Sequence, residues 1–202
     1  MKRIYPSYVW DIKTDEKILY LTFDDGPHPQ ITNFVLDELK KFNARATFFC
    51  IGKNVAAFPD VYDRILAEGH SVGNHTYNHL NGWKTKNEIY LDDVNEAGKL
   101  IHSNLFRPPY GKITSLQAKR LSEAMQIKSA KIIMWDVLSA DFDKEKTAEQ
   151  VSNNVMRNAR PGSIIVFHDS EKAFPRLEIS LRESVEFFIK KGFRFETFAT
   201  IT

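Results

Sequence analysis

The 202-residue chain reads as an α/β protein, a distorted and incomplete (β/α) barrel of about seven parallel strands. Three observations predict it. Near-continuous apolar runs alternate with longer stretches of helical periodicity, the βαβ order of a parallel sheet covered by helices. The length sits close to the low end for an eight-stranded barrel, so an incomplete one fits better than a regular one. Residues able to do polar chemistry fall where the apolar runs end, which is where sites form in barrels and also in the alternative architecture, an open doubly wound sheet.

The elements follow in order. After an aromatic N-terminal arm, residues 1–17, the run 18–23 reads as a buried strand ending at Asp24 and Asp25, followed by Gly26 and Pro27. Apolar residues recur at helical spacing over 31–42. A second strand covers 46–51, a helix 59–67 closes at Gly69, and a short strand 71–73 runs into Asn74 and His75. A helix spans 87–102. Leu105 and Phe106 form a brief strand before Arg107, Pro108 and Pro109, where two prolines forbid further ladder pairing. Helices over 115–125 and 147–159 flank a strand at 131–137. Residues 163–167 form an apolar strand ending at His168 and Asp169, and a helix over 177–191 precedes a last strand at 193–198. No linker or repeat interrupts 18–202, which reads as one domain with the arm packed on it.

Composition narrows the function. Lys and Arg number 28 against 26 Asp and Glu, a net +2, with no long run of one sign, so nucleic acid is not an implied partner. Cys50 is the sole cysteine. It lies inside an apolar strand, cannot form an intrachain disulfide, and reads as a small core residue. No run reaches the roughly 18 apolar residues of a membrane span, and the first residues lack the apolar stretch of a secretory signal. The chain as it stands is expected in the cytoplasm, with action outside it left open. No protein partner is implied.

Adjacent carboxylates at a strand tip are costly to bury unless something holds them. His75 and His79 stand four positions apart, which on one helical turn places both on one face. With Asp25 they make a His/His/Asp set able to bind zinc or a similar divalent ion while leaving a position for water. Asp24, pointing the opposite way from Asp25 in extended backbone, can act as general base toward that water. His168 can protonate a leaving amine, with Asp141 or Asp169 behind its ring. Among aromatic residues near these motifs (Tyr77, Trp83, Phe142 and Phe174), most read as core packing, and Trp83, in a polar loop, as the substrate contact.

Taken in order, Thr22-Phe23-Asp24-Asp25-Gly26-Pro27, His75-Thr76-Tyr77-Asn78-His79, Arg107-Pro108-Pro109-Tyr110-Gly111 and Val166-Phe167-His168 resemble the first, second, third and fifth motifs of the NodB-homology polysaccharide deacetylases, the family 4 carbohydrate esterases. The resemblance implies a NodB-type distorted barrel and hydrolysis of N-acetyl groups on N-acetylglucosamine-containing glycan, peptidoglycan or chitin-like. It implies Asp24 as base and Asp25, His75 and His79 as ligands of a divalent metal ion, with zinc first and cobalt or another ion as alternatives. Arg107 is then the residue orienting the base, Tyr110 the donor of an oxyanion N–H, His168 the acid, and Asp141 the carboxylate tuning it. The fourth motif departs: where the family often has Asp-x-x-Asp-Trp, this chain has Leu138-Ser139-Ala140-Asp141-Phe142. That departure leaves room for a small cytosolic amide or acylated sugar as substrate, or for a non-catalytic glycan-binding protein.

Overall fold

The computed structural model describes residues 5–198, and the structural statements below concern these residues. Eight strands are β1 Ile18–Asp24, β2 Ala46–Cys50, β3 Ser71–Asn74, β4 Leu105–Phe106, β5 Lys131–Ile132, β6 Val137–Leu138, β7 Ile164–His168 and β8 Arg194–Phe195. Seven of them form one path, β5-β4-β3-β2-β1-β7-β6, with β8 beside the start of β1, and every pairing is parallel. This is the circular order of a barrel with one break, between β5 and β6. The result is a curled half-barrel rather than the open doubly wound sheet.

Alternation along the strands builds two layers. Leu19, Leu21 and Phe23 of β1 join Phe48 and Cys50 of β2 and Ile165 and Phe167 of β7 in the core beneath the helices. Ile18, Tyr20, Phe49 and Ile164 take the other face, inside the curl. The inner face becomes polar toward the strand ends: Thr22 and Asp24 continue the side of Ile18 and Tyr20, and His168 continues that of Ile164. The helices are α1 Ile31–Lys41, α2 Gly52–Ala57, α3 Pro59–Ala67, α4 Asn87–Gly98, α5 Ser115–Ala124, α6 Ala148–Asn158 and α7 Phe174–Lys190. Capping boxes, Thr114 with Gln117 and Thr147 with Gln150, start α5 and α6, satisfying N–H groups that a helix start leaves unpaired.

The sequence reading needs correcting in three places. The single strand expected over 131–137 is two short strands on opposite edges of the sheet, joined across the break by Ile133–Asp136. The carbonyls of Ile133 and Met134 accept hydrogen bonds from the Arg107 side chain, while their N–H groups bond Phe106 O and Val9 O, so on its carbonyl side this apolar run is held by a guanidinium. The His75-x-x-x-His79 segment is not helical, because Thr76 and His79 have φ of 63° and 59°. The last strand shortens from 193–198 to Arg194–Phe195, and a short helix, α2, fills residues to which the sequence reading assigns no element.

The arm runs along the break. Val9 N–H donates to Ile132 O at 2.9 Å and Met134 N–H to Val9 O at 2.7 Å, while Ile12 N–H reaches Gly162 O at 2.8 Å. Trp10 is buried, its indole N–H on Tyr5 O.

Candidate active site

The site forms where β1, β3, β4 and β7 end. Asp24 ends β1 on the inner face, and Arg107, directly after β4, meets it from inside the curl: Nη1 donates to Asp24 Oδ1 at 2.7 Å and to Thr22 Oγ1 at 2.7 Å. Nε and Nη2 donate to the carbonyls of Ile133 and Met134. The guanidinium is 0% exposed and lies 4.0 Å from the Phe49 ring centroid. Burial lowers its pKa below the usual arginine value, and the Asp24 charge opposes that. A buried cation is tolerable when all sides of the fork are met in this way.

Asp25 turns away from the strand with φ of 83°, a conformation that Asp adopts more readily than most residues. Its Oδ1 lies 3.2 Å from His79 Nε2 and 3.8 Å from His75 Nε2. One ligand atom from each of the three residues falls within 4.8 Å of the others. His75 Nδ1 contacts the backbone carbonyl of Arg107 at 2.6 Å; as the donor there, it leaves the Nε2 lone pair facing Asp25. Burial pushes the His75 pKa down to about 4, keeping the ring in the neutral form that ligates metals. For Asp25, burial raises the pKa, but the His79 hydrogen bond and the facing histidines overcome it and hold the carboxyl well below its ordinary range. Two imidazoles and a carboxylate, converging and partly open to solvent, fit a divalent cation with a position left over.

The irregular loop that carries His79 is fixed by Asp93 of α4. Its carboxylate accepts from Tyr77 N at 2.8 Å, Asn78 N at 2.9 Å and Asn78 Nδ2 at 2.6 Å. Asn74 Oδ1 accepts from Thr76 N. Sequence reasoning missed both residues; the available signal was an acid, Asp93, one position before Val94 on the inner side of an amphipathic helix.

His168 stands opposite Asp24 in the β1–β7 register. Its Nδ1 lies 2.8 Å from Asp141 Oδ1, and its backbone N–H donates to Asp141 Oδ2 at 2.8 Å. Of the two acids the sequence left open, the ring's partner is therefore Asp141. Burial opposes protonation of His168, but the Asp141 hydrogen bond and charge prevail and raise its pKa to about 9. Asp169 faces the other way: it accepts from Gly26 N at 3.0 Å and from the Thr32 hydroxyl, and burial pushes its pKa up to about 8.

Tyr110 has a left-handed backbone at φ of 60°, is 61% exposed, and its ring centroid lies 4.7 Å from that of His79. The Phe142 and His168 rings meet nearly at right angles with centroids 5.1 Å apart. Tyr77 and Phe174 pack against the core. Trp83 is 56% exposed, with its indole N–H fixed on Ile113 O at 3.1 Å.

Together, fold and site define a class: a parallel α/β half-barrel with a carboxylate and an imidazole in register beside a cation-type donor set at its strand ends. Comparison with known proteins narrows it. The polysaccharide deacetylase family model matches residues 11–128. Two peptidoglycan-N-acetylglucosamine deacetylases of Bacillus cereus are 35% identical over 184 residues, covering 88% of this chain and 65% of that protein, and 34% identical over 204 residues, covering 97% and 94%. The crystal structure of the Bc1960 peptidoglycan N-acetylglucosamine deacetylase superposes with a TM-score of 0.89 at 31% identity, covering 99% of this chain and 95% of that one. The chain belongs to the polysaccharide deacetylase family, the NodB-type family 4 carbohydrate esterases, a class of hydrolases. Among the described residues no helix is long and apolar enough to cross a membrane.

Proposed function

We propose that this protein is a divalent-cation-dependent hydrolase that removes N-acetyl groups from N-acetylglucosamine units of a peptidoglycan- or chitin-type glycan. The observation that carries the reading is the placement of Asp24 and His168 side by side in register, each with its own fixed partner, beside the Asp25, His75 and His79 donors. The relatives' activity on N-acetylglucosamine in peptidoglycan supports the substrate class.

Asp25, His75 and His79 would hold the cation, zinc being the ion that such a donor set suits best. When bound, the cation supplies Lewis acidity, lowering the pKa of a coordinated water and polarising the acyl oxygen. Asp24, held by Arg107, accepts the proton from the attacking water as the new C–O bond forms. The Tyr110 backbone N–H would stabilise the negative charge that develops on the acyl oxygen. His168, kept protonated by Asp141, gives its proton to the amine nitrogen as the C–N bond breaks, so acetate and a glucosamine amine leave. Trp83 would contact the glycan beyond the reacting sugar.

The test is acetate release by zinc- or cobalt-loaded protein on chito-oligosaccharides, peptidoglycan fragments and N-acetylglucosamine, each with and without chelator. Chelator-sensitive release on a glycan is expected. A second reading rests on Leu138 and Phe142, which replace the acid and the tryptophan of the fourth motif: turnover of a small acylated amide, with none on oligosaccharides, would favour it.

A further inference from the structure

Asp169 has no part in the chemistry above, yet it is almost wholly buried and its carboxylate is directed at the loop that carries Asp25. The geometry points to Asp169 as a positioning residue that sets the aim of Asp25 at the cation site; this rests on the proposed role of Asp25 as a ligand. The β1–β7 register ends at Asp24 opposite His168, and Asp169 N–H still donates to Asp24 O at 3.1 Å. The next residue, Asp25, leaves the strand in a left-handed turn, which takes the Gly26 N–H out of the ladder. A buried N–H needs an acceptor, and Asp169 Oδ1 supplies it at 3.0 Å.

The other carboxylate oxygen accepts from the Thr32 hydroxyl, and that hydroxyl accepts from His28 N at 2.7 Å, which ties the clamp to the start of α1. On its other side, the peptide between Asp25 and Gly26 is held by Asn54 Nδ2, which donates to Asp25 O at 2.7 Å. One residue next to the acid His168 thus grips the backbone on both sides of Asp25. The clamp also accounts for Gly26, whose own φ is not positive. A Cβ there would lie 2.0 Å from Asp169 Oδ2, so glycine is required by the carboxylate and not by the turn.

The experiment uses full-length protein stripped of metal and titrated with zinc against a chromophoric chelator, with the visible spectrum of the cobalt-loaded form as a second readout. Asp169→Ala, folded by circular dichroism, is expected to bind zinc about 10–100-fold more weakly, the usual loss when an outer partner of a ligand is removed, and to show an altered cobalt spectrum. Asp169→Asn keeps an oxygen for Gly26 N–H and an NH2 for the Thr32 hydroxyl, so it should stay near wild type. Thr32→Val should fall between. A folded Asp169→Ala protein with wild-type zinc affinity and cobalt spectrum, even if less heat-stable, overturns the proposal. Should Asp169→Ala not fold, wild-type affinity in Thr32→Val, or an Asp169→Asn protein that has lost affinity, overturns it instead. Acetate release is read separately: weakened zinc binding in a protein whose wild type releases no acetate would sink the deacetylase reading and leave the clamp standing.

Discussion

Asp24 and His168 are register partners on adjacent parallel strands, so their separation is set by the ladder spacing of about 5 Å between neighbouring strands and not by loop conformation. Each then has a private partner drawn from elsewhere in the chain: Arg107 holds the carboxylate and Asp141 the imidazole, both at hydrogen-bond distance. The Asp141 hydrogen bond and charge overcome burial and raise the His168 pKa to about 9, which keeps the ring charged near neutral pH. Both side chains are therefore held in place before any substrate arrives, as the proposed base and acid require.

Asp24→Asn keeps the shape of the side chain and an oxygen for Arg107 but cannot take a proton. Acetate release should fall by about 10²–10⁴-fold, the usual contribution of a positioned base, while zinc stoichiometry by atomic absorption stays at the wild-type value. An active Asp24→Asn protein would remove the base assignment.

The His168 pKa is raised to about 9 from 6.5, which gives stability a definite pH dependence. A group whose pKa is higher folded than unfolded contributes fully below the unfolded value and loses that contribution as pH rises through the folded one. Metal-free protein should thus lose urea resistance as pH climbs from about 6.5 toward about 9. In Asp141→Asn, without the anion, the ring should titrate lower, so the loss should be smaller and be complete at lower pH. Histidine NMR titrations of the two metal-free proteins check this; identical His168 titrations would disprove it.

The strands, and the polar side chains that converge at their ends, were legible in the sequence for one reason. Parallel strands buried on both faces read as continuous apolar runs, and such runs stop where the polar side chains of the rim begin, as at Phe23–Asp24 and Phe167–His168. Where a side chain takes over the role of the ladder, pattern fails. Ile133 and Met134 look like strand because they are apolar, but their carbonyls answer to Arg107. His75 and His79 meet through a left-handed loop held by Asp93, and a four-residue spacing cannot tell that loop from a helical turn. Gly26 reads as a turn residue, while the left-handed residue is its neighbour Asp25. Long-range hydrogen bonds of this kind have no local signature, which is also why the sequence left Asp141 and Asp169 unresolved.

Metal should stabilise the fold by mass action. Zinc at about 100 times its dissociation constant adds about 2.7 kcal/mol to a protein that binds it in the folded state alone, seen as a rise in Tm that chelator reverses. His79→Ala removes one of the three donors and should abolish both the zinc-dependent rise and acetate release. A zinc-dependent rise in His79→Ala equal to that of wild type would place the ion elsewhere.

Arg107 joins the two halves of the site and also closes the fold. Its carbonyl accepts from His75 Nδ1, and its side chain donates to Asp24, Thr22, Ile133 and Met134, the last two within the segment that crosses the break between β5 and β6. Lysine cannot replace it, because one ammonium cannot reach acceptors spread around a planar fork. Arg107→Met would fill part of the volume yet leave Asp24 buried without its cation, and breaking a buried pair in this way costs about 3–5 kcal/mol. Arg107→Lys should keep some of the pairing with Asp24 but lose the two carbonyls, giving a smaller loss. Urea unfolding of the three metal-free proteins measures the order wild type, Arg107→Lys, Arg107→Met. If Arg107→Met proved as stable as wild type, the guanidinium would serve the base alone, and the break in the barrel would be held by the arm through Val9.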